Sequence, residues 1–231
     1  MTKTATITAI LGMVIVLAGT AAPVIEVDDP IHDFGTVMEG LSTEHAFVLR
    51  NAGDEDLEVT AVRVSCGCTT PALDKTGLAP GEEVDLTTLL NTYRLQGAVE
   101  KTITVASNDP ETPELTLHLV GEVTPPPDHM VPGGELNYLF YLLIDVRDPD
   151  LYAAGHLLGA INIPYEELPA WSERLPKRVL MVVYGQDDAE GERAALGLAA
   201  AGFGEARGLV GGLDEWTRQY AGRYMIEGPV D

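Results

Sequence analysis

The sequence predicts two domains of different class: an all-β sandwich, then an α/β unit whose parallel sheet is covered by helices on both faces. Three observations lead there. Between Val24 and Val123, short apolar runs recur roughly every ten residues, with turn residues between them and no helical period. Thr124-Pro125-Pro126-Pro127-Asp128 then interrupts the chain with a stiff polyproline-type spacer. Beyond it, strand-like and helix-like stretches alternate, the pattern of a buried parallel sheet. A chain of 231 residues is long enough for two such cores.

The first stretch is of another kind. Met1-Thr2-Lys3 carries a positive charge, and Ala5 to Ala22 carries none. The apolar heart, Ile7 to Leu17, has the length of a signal-peptide core, and Gly19-Thr20-Ala21 suits cleavage before Ala22. An uncleaved anchor is the other reading, because the run is nearly long enough to span a bilayer. Residues 1–22 are therefore expected to be a signal peptide or an N-terminal membrane anchor. Either way the remainder is expected to be exported, to the periplasm or cell envelope, touching the membrane only through an uncleaved N-terminus. The sandwich is expected over 23–123, the linker over 124–130 and the α/β domain over 131–231.

Seven or so sandwich strands are expected: 24–27, 31–35, 44–50, 57–64, 84–90, 100–106 and 114–123. In 57–64 apolar and polar residues alternate at period two, as a half-buried strand requires. Asn51-Ala52-Gly53-Asp54, Pro80-Gly81-Glu82-Glu83 and Ser107-Asn108-Asp109-Pro110 supply turns. In the second domain, strands are expected at 142–146, 160–163, 179–184 and 206–209. Helices are expected around 151–157, near 166–174, and over 189–201 and 213–220.

The α/β half is organised around Val182-Val183-Tyr184-Gly185-Gln186-Asp187-Asp188-Ala189-Glu190. A strand feeding a helix through a short loop aims backbone N–H groups and the helix dipole at one point. That is an anion cradle in which a thiol would ionise easily. Here Gly185 stands where a thiol would sit, and Asp187, Asp188, Glu190 and Glu192 put carboxylates where an anion would bind. Asp187 and Asp188 also have a purely local use, capping the helix that follows. Asp145 and Arg147 are expected to form a structural ion pair at a strand end.

Leu143-Ile144-Asp145-Val146-Arg147-Asp148-Pro149, Tyr152 to Pro164, the Tyr184 loop and Leu209-Val210-Gly211-Gly212-Leu213-Asp214-Glu215-Trp216 resemble, in order and spacing, the rhodanese domain of sulfurtransferases. The resemblance covers about 131–222. It implies that the persulfide-carrying cysteine of the family maps onto Gly185 and an anion-holding basic residue onto Glu190. The expected catalytic set is therefore none: Gly185, Gln186, Asp187, Asp188, Ala189 and Glu190 form a degenerate active-site loop.

The first domain carries Asp33-Phe34-Gly35, Asn51-Ala52-Gly53, Ser65-Cys66-Gly67-Cys68-Thr69-Thr70-Pro71, Pro80-Gly81-Glu82 and Ser107-Asn108-Asp109-Pro110. With these turns in register it is similar to a bacterial family of unknown function related to Hydin-type immunoglobulin-like domains. That resemblance implies an exported interaction module with no established activity.

Cys66 and Cys68 are the only cysteines of the chain. As free thiols they could hold Cu(I), which accepts two thiolates. Zinc would need further ligands, and His32, His45 or His118 would have to approach in space. The pair could instead close a small, redox-labile disulfide, or be half-buried packing at a strand end. His156 is expected in a helix, packing or bonding at the surface. A net charge of −22 with no basic patch makes nucleic acid and anionic lipid headgroups poor partners, and no nucleic acid is expected. The expected function is an exported, non-catalytic rhodanese-fold binding module with a protein partner in the envelope and no cofactor. The alternative is sulfur, thiol-redox or copper handling through Cys66 and Cys68.

Overall fold

The computed structural model describes residues 21–228; the N-terminal expectation for 1–22 falls almost wholly outside them. Among the described residues no helix is long and apolar enough to cross a membrane.

Nine strands build the first domain: β1 (Ile25–Val27), β2 (Ile31–Met38), β3 (Ser42–Asn51), β4 (Leu57–Val64), β5 (Thr69–Leu73), β6 (Gly77–Leu78), β7 (Glu83–Asn91), β8 (Gly97–Ser107) and β9 (Glu114–Thr124). One sheet has the order β1-β3-β7-β5, the other β2-β9-β8-β4-β6. The period-two pattern decides which face is buried. In β7, Val84, Leu86 and Leu90 point inward, with Leu86 opposite Phe47 and Val84 opposite Leu49 of β3. Ile103, Val105, Leu117 and Leu119 close the same core from the second sheet.

The turn residues pin the sheets together. Asp109, buried, accepts from the N–H groups of Ile25, Glu111 and Thr112 at 2.8–3.0 Å. Burial alone would raise its pKa, but those bonds outweigh it and hold the carboxyl below its ordinary value. Asn51 donates to the carbonyls of Glu55 and Leu78.

Beyond the prolines, β10 (Met130–Val131), β11 (Leu142–Asp145), β13 (Ile161–Asn162), β14 (Met181–Tyr184) and β15 (Ala206–Leu209) form a parallel sheet in the order β10-β15-β14-β11-β13. The main helices are α1 (Pro149–Ala154), α2 (Leu168–Trp171), α3 (Asp188–Ala200) and α4 (Gly212–Tyr220). Two cores flank the sheet. One gathers Ile144, Val183, Ala194, Leu198 and Phe203. The other gathers Leu143, Val182, Tyr184, Leu213 and Trp216. Central strands buried on both faces are what a covered parallel sheet demands.

Three expectations are corrected. The sandwich has nine strands, because 69–73 and 77–78 are also extended. The helix around 151–157 stops at Ala154: Gly155–Leu157 is a strand, β12, antiparallel to β16 (Met225–Glu227). His156 therefore lies in a strand, its ring stacked on Tyr152 at 3.8 Å and its Nδ1 2.9 Å from the Tyr152 carbonyl. The helix near 166–174 is a 3₁₀ turn, Tyr165–Glu167, followed by the single turn of α2.

The proline spacer does not hold the halves apart. Glu215 of α4, buried, accepts from the backbone N–H of Ser42 at 2.9 Å and from the Ser42 hydroxyl. Gln219 donates to the Gly40 carbonyl at 2.6 Å, and Asn91 donates to Gln219 at 3.0 Å. Tyr93 donates to Glu135 at 2.9 Å, and burial together with that carboxylate pushes its phenol up to about 12. Gly134 has no room for a side chain, since a Cβ there would come within 2.6 Å of Tyr93 Cζ.

Candidate functional site

In an open parallel sheet, ligands bind beyond the carboxyl ends of the strands, where neighbouring connections leave in opposite directions. Here β11 leads toward β13 on one side and β14 toward β15 on the other. Arg147 follows β11 and Gly185 follows β14, so both lie at that crevice.

The loop after β14 is held from both sides. The carbonyls of Gly185 and Gln186 accept from the N–H groups of Leu213 and Asp214, at 3.1 and 2.9 Å, in the first turn of α4. Two of its N–H groups are answered by its own acids. Glu190 Oε2 accepts from the Gln186 N–H at 2.7 Å, and Asp187, the N-cap of α3, accepts from the Glu190 N–H at 3.0 Å. Asp188 Oδ1 reaches across to the Gly211 N–H at 2.7 Å. The helix end that would attract an anion is occupied by covalently attached carboxylates. Glu192 does not join them; it pairs with His129 at 2.8 Å.

Glu190 also fills the space at Gly185. A Cβ built on Gly185 would overlap Glu190 Cβ and Oε2 and lie 3.1 Å from Glu190 Cδ. No side chain fits there while α3 keeps its first turn.

Asp145 and Arg147 form a buried ion pair at the end of β11. Arg147 Nη2 donates to Asp145 Oδ2 at 2.6 Å, and Nε donates to Oδ1 at 3.0 Å. Burial opposes the charge on Arg147, but Asp145 outweighs it and the guanidinium pKa is raised. Arg147 also donates to the Gly155 carbonyl at 2.6 Å and to Gln186 Oε1 at 3.0 Å, and Gln186 Nε2 donates to Asp214 at 2.5 Å. The pair thus ties the ends of β11 and β14 together. Beneath it, burial pushes the Tyr184 phenol well above its ordinary value, with Asp145 adding to the effect.

Residues 134–219 match the rhodanese-like domain family, and residues 25–123 match a family described as a protein of unknown function, DUF1573. Over 79 residues the chain is 31% identical to the thiosulfate sulfurtransferase GlpE of Coxiella burnetii, covering 34% of this chain and 74% of that relative. The chain belongs to the rhodanese-like family. The uncharacterized protein YqhL of Bacillus subtilis is 36% identical over 74 residues, 32% of this chain; the chain spans 59% of that relative's length. The solution structure of the rhodanese-like domain of the Alr3790 protein from Anabaena sp. is 34% identical, covers 42% of this chain and 71% of its own, and superposes with a TM-score of 0.37.

In this rhodanese-like half the sequence-predicted loop residues Gly185, Gln186, Asp187, Asp188, Ala189 and Glu190 are contiguous at the crevice, beside Asp145 and Arg147. Cys66 and Cys68 are not in this domain; they are joined to each other as a disulfide in the sandwich. Among the described residues no group of three or more His, Cys, Asp or Glu side chains gathers to hold a metal. His32 stacks on His45, and His118 pairs with Glu100. Two roles escaped the sequence reading. The inward turn of Glu190 had a signal, since Asp187-x-x-Glu190 is a capping-box spacing. The role of Glu215 had none, because its partner Ser42 lies 173 residues away.

Proposed function

We propose that the rhodanese-like half is a docking module that no longer transfers sulfur, joined to an immunoglobulin-like interaction module and working outside the cytoplasm. One observation carries the reading: the Glu190 carboxylate sits on the Gln186 N–H while Glu190 Cβ takes the room that a residue-185 side chain would need. The cradle is already bound to its own chain, and the half contains no thiol. Export is motivated by residues 1–22, and the partner is a protein of the envelope. The surplus of 36 acids over 14 bases argues against nucleic acid. Purified protein is expected to show no thiosulfate:cyanide sulfurtransferase activity above a no-protein blank, and measurable turnover would refute the reading.

A second reading, sulfur transfer, is favoured by the 31% identity to a protein named as a thiosulfate sulfurtransferase. Any sulfur carried by this chain would have to sit on Cys66 or Cys68, its only cysteines. Turnover that disappears in the Cys66→Ser/Cys68→Ser double variant would favour it. Cu(I) binding belongs to the reduced pair alone, because a disulfide offers no thiolate; titration of the reduced protein tests it.

A further inference from the structure

Disulfides stabilise mainly by restricting the unfolded chain, and the effect grows with the length of the loop they close. Cys66–Cys68 closes a loop with one residue between its ends, so it is among the weakest staples a chain can make. The sandwich does not depend on it: its core is continuous through Phe47, Leu49, Leu86, Ile103 and Leu117.

The two sulfurs are in unlike surroundings. Cys68 packs against that core, and its carbonyl accepts from the Asn91 N–H at 2.8 Å. Cys66 is half-buried, with its sulfur 3.7 Å from the hydroxyl of Thr69, a buried residue able to donate to a thiolate. Between them Gly67 is exposed, and apart from the two cysteines flanking it no atom comes within 4 Å of where a Cβ would project. An approach from the Gly67 side is open. Thr69 is set up to stabilise charge on Cys66, whereas Cys68, equally half-buried, packs against the core. That division suits an interchange sulfur and a resolving sulfur.

We propose that Cys66 and Cys68 are a thiol–disulfide exchange couple whose partner is a protein dithiol, with Cys66 as the sulfur that enters the mixed disulfide. A thiolate of the partner attacks Cys66 Sγ. The Cys66–Cys68 bond breaks, and Cys68 leaves as a thiolate and takes a proton from water. The partner's second thiolate then attacks its own sulfur in the mixed disulfide. Cys66 leaves as a thiolate, receives a hydrogen bond from Thr69 and is protonated in turn. The pair gains two electrons and two protons, and the partner becomes a disulfide. The site lies near the seam between the domains, because Asn91 bonds Cys68 through its backbone and Gln219 of α4 through its side chain. The proposal stands whether or not the rhodanese-like half turns over.

The test uses the full chain in glutathione redox buffers, quenched by alkylation and read by mass, with circular dichroism recorded alongside. The expected result is a reversible two-electron titration with native ellipticity throughout. Cys68→Ser should accumulate a mixed disulfide with glutathione at Cys66, on the order of tenfold faster than Cys66→Ser does at Cys68. Thr69→Ala should slow trapping at Cys66 several-fold, and Thr69→Ser should restore it. A disulfide that yields to reductant only when the ellipticity is lost would overturn the proposal. So would equal trapping by the two serine variants, a comparison that does not depend on Thr69→Ala folding.

Discussion

Two loops of this chain divide between them what a sulfur-handling site needs in one place. The loop at Gly185 has a strand end, a helix N-terminus and converging N–H groups, but no sulfur, and Glu190 fills its space. The turn at Cys66–Cys68 has sulfur and an open approach, but the polar group at its sulfur is a lone hydroxyl, that of Thr69, in place of a ring of N–H groups. The difference teaches that an anion cradle can stand without a thiol, provided something else satisfies the exposed N–H groups. Here carboxylates four residues or fewer away do so. Gly185 and Glu190 suit each other, because the glutamate side chain occupies the room that a side chain at 185 would need.

Restoring sulfur to the first loop is the harshest way to break the comparison. Gly185→Cys places a Cβ inside Glu190 and should destabilise the rhodanese-like half by about 1–3 kcal/mol, as other overpacked sites do. It should gain no thiosulfate:cyanide turnover, since neighbouring carboxylates raise a thiol's pKa and repel the anion. Adding Glu190→Ala removes the charge but leaves the offending Cβ, so most of the strain should stay. Adding Glu190→Gly should recover more of the stability than the separate changes predict, and denaturant titration of the double variant measures that coupling. Strong turnover from Gly185→Cys alone would show that the acids matter little.

The seam between the halves sharpens the contrast from another side. Glu215→Ala leaves the half-buried Ser42 N–H and the Gln219 amide short of an acceptor, which should cost about 1–2 kcal/mol of docking. Limited proteolysis within 124–130 should accelerate, and calorimetry should resolve two transitions in place of one. Unchanged cleavage would mean that the prolines alone fix the two domains.

How far these features were legible follows from how local they are. Strands β3 and β7 could be read because alternate residues face one core, and Gly185 because a strand, a glycine and a helix follow one another directly. Strand β5 was missed because Pro71 argues against a strand, yet β5 is an edge strand, where a missing N–H is tolerated. His156 reads as helical from its neighbours because the partner that makes 155–157 extended is Met225–Glu227, about seventy residues on. The Ser42–Glu215 contact, which brings the sandwich against the helix bracing the Gly185 loop, leaves no periodic trace at all.

A smaller change isolates the cap from the cradle. Asp187→Ala removes the N-cap of α3 and should cost about 1 kcal/mol. Asp187→Asn, which can still accept from the Glu190 N–H, should cost only tenths. If both variants lose equally, charge at the helix end matters more than the hydrogen bond.

The smallest expected effect separates the sandwich from its partner domain by pH. His45 stacks on His32 at 3.7 Å and meets the edge of the buried Phe47 ring at 4.5 Å. Burial, and then the neighbouring His32, lower its pKa in the folded protein, with Asp29 opposing them in part. The unfolded chain then takes up a proton near pH 6.5 while the folded sandwich still resists it. Stability is unaffected above that pH, falls as pH drops below it, and levels once the folded His45 titrates. Denaturant midpoints between pH 8 and 5 should show this slope, and His45→Gln should flatten it. A slope that survives the substitution would place the acid-sensitive group elsewhere.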